Sequence, residues 1–171
     1  MKKIAVFGSA FNPPSLGHKS VLESLLHFDK VLLVPSISHA WGKEMLEYSS
    51  RCELVDAFIA DLESSTFERC DIEETLFQPN QSVTTYSVME ALQLKYPESE
   101  LTFVLGPDNF FNFSKFYRAE DILSQWSVMA CPEKVNIRST DIRSALQAQE
   151  SIDSFTTPRV RSILIKNKHY K

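Results

Sequence analysis

The stretch GSAFNPPSLGH, residues 8 to 18, constrains this chain more than any other, because it follows the apolar run Ile4 to Phe7 without a spacer and leads straight into a segment of helical period. A strand, a proline-stiffened turn and a helix in succession leave free backbone amides at the helix mouth, and such amides attract phosphate. Gly17 stands where backbone is expected to approach a ligand closely, and His18 supplies an imidazole beside it. Gly8, Ser9, Phe11, Ser15, Gly17 and His18 are therefore candidate contacts of a triphosphate.

Compact apolar runs recur at Ile4 to Phe7, Val31 to Val34, Leu101 to Leu105 and Val128 to Cys131. None alternates, which is the pattern of strands covered on both faces of a parallel sheet. Between them the period becomes helical. Val21, Leu22, Leu25 and Leu26 form one stripe, Leu54, Val55, Phe58, Ile59 and Leu62 a second, and Val88, Met89, Leu92 and Tyr96 a third. Ser87 and Glu90 have capping-box spacing with Thr84 and Thr85 just before them, so a helix is expected to open near 85 and to close at Pro97. A weaker strand is expected over Phe67 to Ile72, ahead of the polar loop at 79 to 82. The expected fold class is α/β, a single doubly wound Rossmann-like parallel sheet with helices on both faces. In such sheets ligands bind beyond the strand C-termini, near the switch in strand order.

A chain of 171 residues with 43% hydrophobic content can fill one core, and no repeat, low-complexity tract or linker divides it, so one domain over 1–171 is expected. The formal net charge of −4, with both signs interspersed, gives no reason to expect a nucleic-acid or membrane partner. Cys52, Cys70 and Cys131 are odd in number and set among apolar neighbours, as small core residues in a reducing compartment are. The apolar run near the N-terminus is too short for a signal peptide or a membrane span, and a cytoplasmic protein is expected. No His or Cys cluster has transition-metal spacing, so no protein-held metal is expected. Homo-oligomer formation is left open.

A second phosphate-shaped element lies far along the chain. In NIRSTDIRSAL, residues 136 to 146, Ser139 and Thr140 stand at the start of a helical pattern with Arg143 one turn on. A hydroxyl cap, free amides and an inward guanidinium together suit the outer phosphates of a nucleotide. Taken alone, a solvent-facing cap with a surface arginine explains the same residues.

The two elements, in this order, resemble the HxGH or TxGH signature and the ISSTxIR element of the nucleotidyltransferase superfamily. Within it they resemble the nicotinate/nicotinamide mononucleotide adenylyltransferases, over about residues 3 to 166. His18 is carried over intact, whereas Ser15 stands where the family has His or Thr, Asn12 where it usually has Asp, and Arg138 where it usually has Ser. The segment with Trp41, Lys43, Ser50 and Arg51 resembles the family segment in which a Lys after an aromatic residue precedes a Ser, an Arg and a helix, which implies that Lys43 reaches the phosphates shared by mononucleotide and ATP and that Arg51 meets the mononucleotide; His39 is read as a loop residue. Gly106 and Asp108 resemble its GxD after strand four, with Asp108 accepting from ribose hydroxyls or orienting metal-bound phosphate. Phe116 and Tyr117 stand where the family stacks the pyridine ring, and Thr84, Thr85 and Tyr86 match a turn that reads the ring's substituent. The tail PRVRSILIKNKHY resembles the closing helix and final tyrosine.

The activity implied is attack of the mononucleotide phosphate on the α-phosphorus of ATP, with pyrophosphate leaving and Mg²⁺ bridging the substrate phosphates. On this reading His18, Lys43 and Arg143 stabilise charge on the transferring group, and Ser139 and Thr140 hold the outer phosphates. Three other readings stay open. A phosphopantetheine adenylyltransferase shares the superfamily signature, a catalytically inactive nucleotide-binding regulator would explain Asn12, Ser15 and Arg138, and a flavodoxin-like binding module shares the sheet. The choice between nicotinate and nicotinamide is open as well.

Overall fold

In the computed structural model, which describes residues 1–38 and 45–171, the apolar runs form a five-stranded sheet, β1 (Lys3–Ser9), β2 (Lys30–Pro35), β3 (Phe67–Arg69), β4 (Glu100–Leu105) and β5 (Ser127–Ala130). Every pairing is parallel and the order is β3-β2-β1-β4-β5. β1 is central, with Val6 opposite Leu32 on one side and Phe103 on the other. The helices are α1 (Leu16–Glu23), α2 (Tyr48–Leu62), α3 (Ile72–Leu76), α4 (Thr85–Lys95), α5 (Pro107–Asn112), α6 (Ala119–Gln125), α7 (Ser139–Gln147) and α8 (Pro158–Lys166), with a 3-10 turn at Phe113–Lys115.

The unbroken apolar runs follow from this layering. Successive side chains of a strand point to opposite faces. Ala5, Phe7, Val31, Leu33 and Val104 pack with α1, α2, α7 and α8, while Ile4, Val6, Leu32, Val34, Phe103 and Leu105 pack with α4 and α6. Both faces of the central strands are covered, so nearly all of their buried residues are apolar, with Thr102 of β4 the buried polar exception. Leu54, Val55 and Phe58 of α2 are fully buried, and burying side chains of this size stabilises by about 1.5–3 kcal/mol each.

Three local expectations differ in detail. The strand at Phe67 stops at Arg69: the Cys70 N–H still donates to Leu33 O at 2.8 Å, and Ile72 then opens α3. The cap of α4 is Thr84, whose Oγ1 accepts the Ser87 N–H at 3.1 Å. Glu90 instead accepts the Tyr86 hydroxyl at 3.2 Å, so no capping box forms at Ser87. Leu26, expected in the first stripe, is 55% exposed, because α1 ends at Glu23 before the stripe is complete. Among the described residues no helix is long and apolar enough to cross a membrane.

The chain passes from β2 and β3 on one side of β1 to β4 and β5 on the other. The C-terminal ends of β1 and β4 therefore flank the switch point, where a crevice is expected.

Candidate active site

A cleft of about 630 Å³ opens at those strand ends. Ser9 reaches it from the end of β1, Asn12 from the turn that follows, His18 from α1, Asp108 from the start of α5, and Thr140 and Arg143 from α7. The two motifs, more than a hundred residues apart in sequence, thus share one wall-to-wall space.

His18 is fixed by its neighbours. The Ser15 backbone N–H donates to Nδ1 at 3.0 Å, so Nδ1 carries the lone pair and the ring proton of the neutral imidazole sits on Nε2. Nε2 lies 3.0 Å from Ser9 Oγ on the cleft side. Burial pushes the His18 pKa down to about 4, because desolvation disfavours the charged ring. At neutral pH His18 is therefore a fixed N–H donor, not a cation.

Ser15 acts through that arrangement. It is the N-cap of α1: its hydroxyl oxygen accepts the His18 N–H at 3.3 Å, lies 3.0 Å from Nδ1, and donates to Ile137 O at 3.2 Å. Ser15 is 1% exposed although it stands at the wall of the cleft, and its hydroxyl already has partners within the protein, which differs from the expectation that it meets phosphate.

Gly17 has a different reason from the one expected. It is buried, and a Cβ there would lie 2.2 Å from Ile137 O, a backbone atom that cannot swing aside. The close approach in the structure is to the segment before α7, and Gly17 does not line the cleft. Ser20 adds to the contact, donating to Gly17 O at 2.7 Å and accepting from Val135 N–H at 3.4 Å. Gly106, in contrast, faces open space. Phe11 holds a left-handed backbone at φ 48, a strained state for an aromatic residue. Its fully buried ring, 4.9 Å from the His18 ring and 5.8 Å from Phe7, supports the strain.

α7 is docked onto the first turn by its own candidate residues. Ser139 Oγ donates to Pro13 O at 2.7 Å, and Arg143 donates to Asn12 O at 2.7 Å and to Thr140 Oγ1 at 3.2 Å. The hydroxyl cap expected at Ser139 is absent: the N-cap is Arg138, whose N–H donates to Asp141 Oδ2 at 2.8 Å. The Arg138 guanidinium crosses to Asp108, at 2.6 and 3.3 Å from its two carboxylate oxygens.

The candidates for the mononucleotide side divide. Thr85 and Phe116 line the cleft, and Phe116 packs on Phe113 and Phe103 with ring centroids 5.2 and 6.2 Å away. Thr84 serves as the helix cap. Tyr117 is 60% exposed and stands outside the cleft, edge-on to Tyr86 at 6.3 Å. Arg51 is 1% exposed and also outside the cleft: it donates to the carbonyls of Leu46 at 2.8 Å, Ala10 at 2.8 Å and Ser36 at 2.6 Å. With Nε and Nη1 both given to main-chain carbonyls, it braces the turn after β1 and the connection after β2 where a substrate contact was expected. Lys43, Trp41 and His39 lie outside the described residues.

Two cleft residues carried no assigned role in the sequence. Asn12 is a hub: its Oδ1 accepts the Leu46 N–H at 3.3 Å and the hydroxyl of Tyr170, and its carbonyl accepts Arg143. Its place inside the motif was the available signal. Glu73 lines the cleft from α3 and accepts the Ile37 N–H at 3.2 Å; burial pushes its carboxyl up to about 7. In sequence it is one of two adjacent glutamates in an ordinary helical run, and nothing marks it. Among the described residues no group of three or more His, Cys, Asp or Glu is placed to hold a metal.

Residues 6–165 match the model of the cytidylyltransferase-like family. A "probable nicotinate-nucleotide adenylyltransferase" of Shouchella clausii is 31% identical over 192 residues, covering 99% of this chain and 97% of the relative. A solved structure from Vibrio parahaemolyticus, of a protein provisionally named for the same activity, is 56% identical with a TM-score of 0.90, covering 99% of this chain and 96% of that one. The Plasmodium falciparum nicotinic acid mononucleotide adenylyltransferase complexed with NaAD shares the fold, with a TM-score of 0.77 at 18% identity, covering 99% and 98% of the two chains.

Proposed function

The chain belongs to the cytidylyltransferase-like family and, within it, to the nicotinate-nucleotide adenylyltransferases, and from that membership we propose that it joins ATP to nicotinate mononucleotide, giving the dinucleotide and pyrophosphate. The observation that carries the reading is the neutral, oriented His18, whose Nε2 side faces a cleft shared with α7. The nucleophile, a phosphate oxygen, is an anion at neutral pH and needs no general base. The protein's task is alignment and stabilisation of charge on the transferring phosphoryl group.

In this mechanism the His18 Nε2–H leaves Ser9 Oγ and donates to the transferring phosphate, a bond strengthened by the charge it meets. Ser9 then turns its own hydroxyl toward the same anion. The amides at the start of α7, with Thr140 and Arg143, hold the outer phosphates, and Lys43 adds a cation. Gly8, Phe11, Gly106 and Asp108 shape the nucleotide end, while Thr85 and Phe116 receive the pyridine. Mg²⁺, when bound, neutralises phosphate charge, and in the absence of a three-ligand cluster among the described residues it would enter on the substrate's phosphates and water. The three cysteines are free and buried, which fits a reducing compartment and a place in the cytoplasm.

The test is pyrophosphate release with ATP and each acceptor in turn. Turnover with nicotinate mononucleotide is expected. Turnover only with nicotinamide mononucleotide or with phosphopantetheine would change the acceptor, and ATP binding without turnover on any of them would make the chain a nucleotide-binding regulator.

A further inference from the structure

The Arg138–Asp108 pair has a geometry that a helix cap alone does not require. Arg138 is the N-cap of α7, where the backbone is extended and the side chain is free to leave the helix. Its guanidinium crosses the mouth of the cleft and forks onto both oxygens of Asp108, the second residue of α5, at 2.6 and 3.3 Å. Glu133 stands behind it, 4.0 Å from Nε. All three residues line the same cleft.

We propose that Arg138 is a phosphate-binding residue of this chain, which exchanges the Asp108 carboxylate for the outer phosphates of ATP and thereby frees Asp108 to accept from substrate hydroxyls. The proposal rests on the adenylyltransferase reading for its ligand. Three observations support it. First, the side chains of Arg138 and Asp108 are 48% and 71% exposed, and a bridge between groups this wet is weak, so an incoming anion can break it. Second, Arg143, the other arginine lining the cleft among the described residues, already has Asn12 O and Thr140 Oγ1 as partners. Arg138 is held only by carboxylates, whose place a phosphate can take with the same two-pronged geometry and more charge. Third, its neighbours on α7, Ser139 and Thr140, present their amides at the same helix end, so the guanidinium starts one residue from where a phosphate would settle.

The exchange also removes a conflict. A free cleft lined by an unpaired Asp108 would repel a triphosphate, and the bridge keeps that carboxylate neutralised until the substrate's hydroxyls replace Arg138 as its partner.

Calorimetric titration of ATP, AMP and inorganic pyrophosphate into the parent, Arg138→Ser and Arg138→Lys tests this, with pyrophosphate release from ATP and nicotinate mononucleotide run beside it. Arg138→Ser should weaken ATP and pyrophosphate by roughly tenfold, the loss of one charge-assisted fork, while AMP changes less than about twofold. Arg138→Lys, which keeps the charge and loses the fork, should fall between. Equal weakening of ATP and AMP would make the bridge a structural brace, and unchanged or tighter ATP binding would make it a lock that only closes the cleft; either outcome overturns the proposal. A parent that binds pyrophosphate through Arg138 yet turns over no acceptor leaves the proposal standing and removes the enzymatic reading. A parent that binds neither ATP nor pyrophosphate removes both.

Discussion

The backbone N–H of Ser15 donates to Nδ1 of His18 at 3.0 Å, and this one bond decides which ring nitrogen faces the cleft. A backbone donor cannot be deleted by changing the Ser15 side chain, so the tautomer and the hydroxyl can be separated by mutation. His18→Ala should lower kcat about a hundredfold or more, since one preorganised donor to developing charge is worth roughly 3 kcal/mol of barrier. Ser15→Ala keeps the N–H and loses only the cap and the hydroxyl contact, so kcat should fall about tenfold or less and stability by about 1 kcal/mol. Ser15→Thr should restore both. Equal losses in Ser15→Ala and His18→Ala, read from steady-state pyrophosphate release, would show that the hydroxyl and not the amide holds the ring.

Gly17→Ala separates two reasons for a glycine. Alanine in a helix is ordinarily better than glycine by about 1 kcal/mol. Here the new Cβ meets Ile137 O at 2.2 Å, so α1 and the segment before α7 must part, at a cost of about 1–3 kcal/mol or more by the general penalty of overpacking. Urea unfolding gives the sign directly, and a stabilised variant would mean that the two segments are not in contact.

Arg51→Lys should destabilise without altering the mononucleotide KM in the fraction that remains folded. Lysine cannot reach the carbonyls of Ala10, Ser36 and Leu46 together. Leaving buried acceptors unmet costs about 1–3 kcal/mol each. A KM that rises with no fall in the thermal midpoint would instead place Arg51 at the substrate.

Two adjacent aromatic residues should behave differently. Phe116→Leu should raise the mononucleotide KM more than the ATP KM, since ring stacking is worth about 1 kcal/mol, whereas Tyr117→Leu should leave both unchanged because Tyr117 is exposed and does not line the cleft. Equal effects of the two substitutions would argue that the segment moves as a unit on binding.

The pH dependence of stability should contain two opposed terms. Folded His18 takes its proton near pH 4 and the unfolded residue near 6.5. The unfolded state therefore binds more protons between those values, and stability falls as pH drops through that window. Glu73 runs the other way: its carboxyl titrates near 7 when folded and near 4.5 when unfolded, so stability falls as pH rises through that window. The two offset each other over most of the shared range. Glu73→Gln should unmask loss on acidification below 6.5, and His18→Gln should unmask loss on approach to 7. Urea midpoints of both variants that track the parent at every pH would remove both assignments.

Local sequence determined the strands and the helices α1, α2 and α4, but not the short helices α3, α5 and α6. The runs at Ile4, Val31 and Leu101 are apolar with little alternation because both sheet faces are covered there, while the run at Val128 belongs to an edge strand that is only half-buried. The turn from Gly8 to His18 likewise announced its place at a strand end, since strand, turn and helix are contiguous. What the sequence could not contain was the distance between remote segments. That Gly17 touches Ile137, that Arg51 reaches carbonyls of both the turn after β1 and the connection between β2 and α2, and that Arg138 crosses to Asp108 all depend on how separate elements dock. Burial is decided the same way. Ser15 and Arg51 are polar residue types that look available in a linear chain, and only the packing of the segment before α7 against Ser15, and of the first turn and the connection after β2 against Arg51, turns their hydrogen bonds inward, because a buried donor must be satisfied by whatever acceptor the tertiary structure brings within reach.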